Sequence, residues 1–92
     1  MKRIHLTISG RVQGVYFRQS ARIKAEQVGV SGWVRNRSNG TVELVAEGPI
    51  ESLNTLADWC KSGPEMAQVQ SIERVDELAV GIPNGFDVRP TL

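Results

Sequence analysis

The side chains best suited to chemistry sit in one short stretch, Gly10-Arg11-Val12-Gln13-Gly14-Val15-Tyr16-Phe17-Arg18. An alternating apolar run stops there, the chain passes two glycines, and a helical pattern begins with an arginine near its start. Glycine adopts backbone angles that a side chain forbids, so a loop bounded by Gly10 and Gly14 can turn consecutive N–H groups inward as an anion-binding nest. A helix starting at Phe17 adds its free first-turn N–H groups and the positive end of its dipole. From that first turn, Arg18 can fold its planar guanidinium over the same hollow and meet a pair of phosphate oxygens bidentately. Such a set of residue types binds a small phosphate or carboxylate.

Holding that loop requires a strand before it and a helix after it, and both are written in the pattern. Ile4, Leu6 and Ile8 alternate with Arg3, His5, Thr7 and Ser9, the period of a half-buried strand that ends at Gly10. Phe17, Ala21, Ala25 and Val28 then fall at helical spacing with Ile23 off the stripe, and Gly29 is placed as a C-terminal cap. Val30 to Asn36 reads as a second strand, Asn39-Gly40 as a tight hairpin turn, and Thr41 to Glu47 as a third strand with Val42, Leu44 and Ala46 on one face. Pro49 opens a second helix on the stripe Leu53, Leu56, Ala57 and Cys60, and Gly63-Pro64 stops it. A fourth strand holds Ala67 and Val69 on one parity but Ile72 and Val75 on the other, which predicts a bulge or a shift of face near Ser71. Asp76 to Gly85 reads as an irregular connection, and Phe86 and Val88 as a short terminal strand.

Strand, helix, strand, strand, helix, strand is the order of the α+β, ferredoxin-like β-α-β-β-α-β sandwich, an antiparallel sheet with two helices on one face. In that topology a right-handed crossover brings the loop after Ser9 and the strand end at Asn36 to the same edge of the sheet. The third strand lies between them, a separation of about 9.6 Å.

Ninety-two residues fit one domain, 1–92, which buries roughly 60 to 65 % of its unfolded surface. Eleven lysines and arginines against 10 acids leave a formal charge of +1, too little field to hold a polyanion as extended as DNA. The single cysteine, Cys60, excludes an internal disulfide, offers no zinc cluster and fits a reducing compartment. No signal-peptide or membrane-length apolar run occurs, so a cytoplasmic protein is expected. A dinucleotide fingerprint, a Walker lysine and a hydrolase serine elbow are all missing.

The loop motif Gly10 to Arg18, followed by Gly29-Val30-x-Gly32-Trp33-Val34-Arg35-Asn36 and Gly40-Thr41-Val42-Glu43, closely resembles the signature of the acylphosphatase family. The resemblance runs in register from about Ile4 to Gly48, with weaker agreement at Phe86-Asp87-Val88-Arg89. It implies hydrolysis of small acyl phosphates by a monomeric enzyme with no metal or organic cofactor, with inorganic phosphate as product and competitive inhibitor, and with neither nucleic acid nor membrane as partner. By resemblance, Arg18 grips the phosphoryl group and Asn36 holds the attacking water. The backbone N–H groups of Val12, Gln13, Gly14, Val15, Tyr16 and Phe17 form the phosphate cradle.

Blander readings stand beside these. A lone arginine on a helix is most often solvated, and asparagine at a strand end most often serves the turn, as Asn39 does. Arg11 and Gln13 are secondary candidates, because a side chain on a tight nest points away while its N–H points in. His5 is expected to be exposed, Trp33 to pack half-buried, and Cys60 to be a small core residue. Two rivals remain: an RNA-binding sheet, which needs exposed aromatics where this chain has Val42, Leu44 and Val45, and a domain of this family within a larger machine.

Overall fold

The computed structural model describes residues 1–92. The chain order is β1 (Lys2–Arg11), α1 (Phe17–Val28), β2 (Ser31–Asn36), β3 (Val42–Gly48), α2 (Ile50–Cys60), β4 (Gln68–Leu78) and β5 (Phe86–Val88). The five strands form one sheet in the order β4-β1-β3-β2-β5. β3 therefore separates β1 from β2, as the ferredoxin-like order requires.

Binary patterning fixes which face is buried. Ile4, Leu6 and Ile8 of β1 point into the core with Val42, Leu44 and Ala46 of β3, where α1 adds Phe17, Ala21 and Ala25 and α2 adds Leu53, Leu56 and Cys60. Fully burying one large apolar side chain of this kind contributes about 1.5 to 3 kcal/mol, so this layer dominates the stability. α1 starts and stops where its apolar stripe does. Its C-cap, Gly29, sits at φ 77 and donates its N–H to the carbonyls of Ala25 and Glu26, a left-handed turn that glycine makes without steric cost. Every residue of β3 is buried, because this central strand is covered on both faces.

The bulge near Ser71 is present. Ser9 pairs with Ser71 but Gly10 pairs with Val69, which leaves Gln70 as the extra residue of β4. Gly10 sits opposite it at φ 123, and a Cβ at this position would stand 2.2 Å from the Gln68 carbonyl oxygen. Only glycine lets β1 run past the bulge and turn into the loop.

Two features depart from the expected order. β4 continues to Leu78, pairing Asp76, Glu77 and Leu78 with Ile4, Arg3 and Lys2. The expected irregular connection began too early, because an edge strand with an exposed surface can carry charged residues that hide its period. β5 pairs with β2 in parallel, Gly32 with Phe86 and Val34 with Val88, so the far edge is not antiparallel. No helix is long and apolar enough to cross a membrane.

Candidate active site

β1 ends at Arg11 and α1 begins at Phe17, and between them the chain turns through Gly14 at φ 72 and Tyr16 at φ 63. Tyr16 is the one non-glycine residue with positive φ, and it provides the N-cap of α1 without a side-chain capping bond. None of the N–H groups from Val12 to Gln19 donates to a carbonyl or side chain of the protein; the first to do so is Ser20, which donates to the Tyr16 carbonyl at 3.1 Å. A run of free donors joined to a helix N-terminus has a form suited to holding an anion.

Beside it lies a hollow of about 440 Å³ lined by Val12, Gly14, Tyr16, Phe17, Arg18, Gln19 and Val88. Arg18 is half-buried on this lining and forms no ion pair or hydrogen bond with another side chain, so its five donors are available to a ligand. Gln13 and Val15 do not line the hollow. The Val15 side chain enters the core, and the Gln13 side chain turns to the β2–β3 hairpin, where its Nε2 donates to the carbonyls of Arg37 at 2.8 Å and Thr41 at 3.0 Å.

Asn36 arrives from the other direction. Register sets it level with Ile8 across the sheet, since both pair with Val42 of β3. It follows Gly32 and Val34 on the buried face of β2, the face that carries the helices, and it is 8 % exposed. Its Oδ1 is buried and has no hydrogen-bond partner, an arrangement that costs free energy unless a ligand or water supplies a donor. Asn36 does not itself line the hollow, but Val88, which does, pairs with Val34 two residues before it. Asn39 serves the turn, its Oδ1 accepting from the N–H and hydroxyl of Thr41.

The remaining polar residues take structural roles. His5 is not exposed as expected: its Nε2 lies 2.6 Å from Glu43 Oε2 on the sheet face away from the helices, because β3 places that carboxylate diagonally from it, Glu43 pairing with Thr7 and His5 with Val45. Glu43 also accepts from Arg35 Nε at 2.8 Å. Burial pushes the Glu43 carboxyl up, but the hydrogen bonds from His5 and Arg35 and the Arg35 charge outweigh it and hold the group below its ordinary value. Trp33 packs half-buried with the guanidinium groups of Arg35 and Arg89 each 4.7 Å from its ring centroid. Burial pushes the Cys60 thiol up to about 12, which removes it as a nucleophile. No group of three or more His, Cys, Asp or Glu side chains is placed to hold a metal ion.

Of the residues singled out for the site in the sequence, Val12, Gly14, Tyr16, Phe17 and Arg18 line the hollow and Asn36 does not; Gln19 and Val88 line it without having been singled out. The first shares a helical turn with Arg18. The second is brought in only by the parallel pairing of β5, which has no local signature.

A ferredoxin-like sandwich with a run of free N–H groups between its first strand and first helix, and an unpaired arginine on the hollow beside them, defines a class of small α+β proteins suited to a phosphoryl group. Within that class, the family model described as Acylphosphatase matches residues 4–88, and the chain belongs to the acylphosphatase family and is a hydrolase of that type. An acylphosphatase of Rubrobacter xylanophilus is 50 % identical over 88 residues, covering 96 % of this chain and 80 % of that protein. Among solved structures, an acylphosphatase from Coxiella burnetii superposes with a TM-score of 0.88 at 46 % identity, covering 95 % of this chain and 90 % of that one. The acylphosphatase from Bacillus subtilis gives a TM-score of 0.93 at 31 % identity, over 97 % and 99 % of the two chains.

Proposed function

We propose that residues 1–92 act as a single domain that hydrolyses the carboxyl–phosphate bond of small acyl phosphates to a carboxylate and inorganic phosphate. The observation that carries this reading is the run of N–H groups from Val12 to Gln19, without protein acceptors, beside the unpaired Arg18. These donors suit the three equatorial oxygens of a transferring phosphoryl group, where charge spreads in the transition state. Arg18 adds the bidentate cation.

Asn36 positions the water. Its orphaned Oδ1 accepts a hydrogen bond from that water, which leaves a lone pair on the water oxygen directed at phosphorus. A neutral amide does this without repelling the substrate dianion. The new P–O bond forms to the water oxygen, the bond from phosphorus to the acyl oxygen breaks, and its electron pair leaves with the carboxylate. Because a carboxylate is a weak base, the leaving group needs no general acid. The water's proton passes to a phosphate oxygen, and the reaction requires no metal. Phosphate, as product, occupies the same cradle and competes with substrate. A monomer in the cytoplasm belongs to the same reading, with the buried lone thiol of Cys60 suited to a reducing compartment.

The test is phosphate release from acetyl, carbamoyl and benzoyl phosphate in the presence of a strong chelator, with a stable phosphomonoester as control. Turnover of the acyl phosphates, inhibited competitively by phosphate, is expected. Turnover lost to the chelator and restored by magnesium, or equal turnover of the phosphomonoester, would overturn the reading.

A further inference from the structure

The two halves of the proposed site come from different elements, and one side chain joins them. The loop Val12 to Tyr16 makes few polar contacts with the rest of the protein: the Tyr16 carbonyl accepts from Ser20, and the other bonds are the two that Gln13 Nε2 donates to Arg37 and Thr41. Their partners lie 24 and 28 residues away in sequence. A carboxamide nitrogen has two protons, and both are used.

The acceptors form a unit that is already closed. Arg37 N–H donates to the Thr41 carbonyl at 2.9 Å, and Gly40 N–H donates to the Arg37 carbonyl at 3.1 Å. The hairpin is held on its other side by the C-terminal segment, where Leu92 N–H donates to the Asn36 carbonyl at 3.2 Å and the Leu92 carbonyl accepts from Ser38 N–H at 3.0 Å. Asn36 immediately precedes this unit. Gln13 thus docks the loop against a hydrogen-bonded hairpin whose residue Arg37 directly follows Asn36.

We propose that Gln13 is a positioning residue for the hydrolysis: its carboxamide sets the separation between the phosphoryl group in the loop and the water on Asn36. This rests on the reading given above for the loop and Asn36. In-line attack requires reacting atoms at about 3 to 3.5 Å, and a displacement of about 1 Å can cost roughly a hundredfold in rate. The amide bonds only to the hairpin and to neither the loop N–H groups nor Arg18, so the donors that grip phosphate remain when it is removed. Gln13 acts on turnover through Asn36 and leaves the affinity for the phosphoryl group alone.

Gln13→Met keeps the length of the side chain and removes both donors, and Gln13→Asn keeps the donors but withdraws them by one methylene. Each is measured with acetyl phosphate for kcat, with inorganic phosphate for the inhibition constant, and again in an Asn36→Ala background. The expected result is a fall in kcat of about ten- to a hundredfold in both single variants, with the phosphate inhibition constant within about threefold of the parent. In the Asn36→Ala background the same substitutions cost less than about threefold, because the water they would misplace is no longer held. Three outcomes overturn the proposal: an unchanged kcat, a weakened phosphate constant that accounts for the loss, or losses that multiply fully with Asn36→Ala. If Gln13→Met does not fold, Gln13→Asn decides alone. A parent protein that fails to hydrolyse acetyl phosphate sinks the underlying acyl phosphate reading instead, so the two failures are distinguishable.

Discussion

Arg18 and Asn36 differ in what holds them. Arg18 is placed by a helix start that local sequence specifies, and its side chain is free for a ligand. Asn36 is placed by sheet register and pays for its position with an unpartnered buried oxygen. An asparagine retained only for the turn would have no need of that cost, since Asn39 already supplies the turn's side-chain bonds. In Asn36→Ala, turnover should therefore fall roughly a hundredfold to a thousandfold, a rise of about 2.7 to 4 kcal/mol in activation free energy, with phosphate inhibition near normal. The unfolding midpoint should hold or rise, because the substitution removes an unsatisfied buried group. Intact turnover with a lowered midpoint would return Asn36 to a purely structural role.

At the scale of elements, what was legible in the sequence is what short-range rules decide. The helix Phe17–Val28 with its Gly29 cap, the Asn39-Gly40 hairpin and the β4 bulge all follow from spacing and turn chemistry within a few residues. The contacts that were not legible are long-range: Gln13 reaching the hairpin, His5 meeting Glu43, and Glu47 of β3 accepting the N–H groups of Val80, Gly81 and Ile82 at 2.7 to 3.0 Å. No local pattern encodes a carboxylate that pins a loop more than thirty residues later. Burial pushes the Glu47 carboxyl up, but those three N–H groups and Arg3 outweigh it and hold the group low. The folded value lies below the ordinary 4.5, so the stabilisation from Glu47, like that from Glu43, is complete above about pH 4.5 and is lost as pH falls through the folded values. Glu47→Gln keeps the shape but turns an NH2 toward donors, and it should cost about 2 to 3 kcal/mol at neutral pH. Its melting temperature should fall by roughly 10 °C or more, and it should lose less stability than the parent on acidification. Equal acid sensitivity in the two proteins would show that Glu47 does not carry the acid transition.

Over the whole molecule, the charges nearly cancel at +1, so recognition of a phosphoryl dianion depends on local geometry at one end of the sheet. The fold supplies that geometry by topology. β3 intervenes between β1 and β2, and the loop after β1 and the strand end at Asn36 emerge at the same end of the sheet from elements that do not touch as neighbours in it. Fold class was readable because it rests on element order; the link that Gln13 makes between the loop and the hairpin was not, because it rests on one amide. The central claim is that this geometry aims water at phosphorus rather than at the acyl carbon. Hydrolysis of acetyl phosphate in water enriched in oxygen-18, followed by mass spectrometry of both products, tests it most directly. The label should enter inorganic phosphate and leave acetate unlabelled; label in acetate would mean that the bond broken is the one to the acyl carbon, contradicting the roles given to the loop, Arg18 and Asn36.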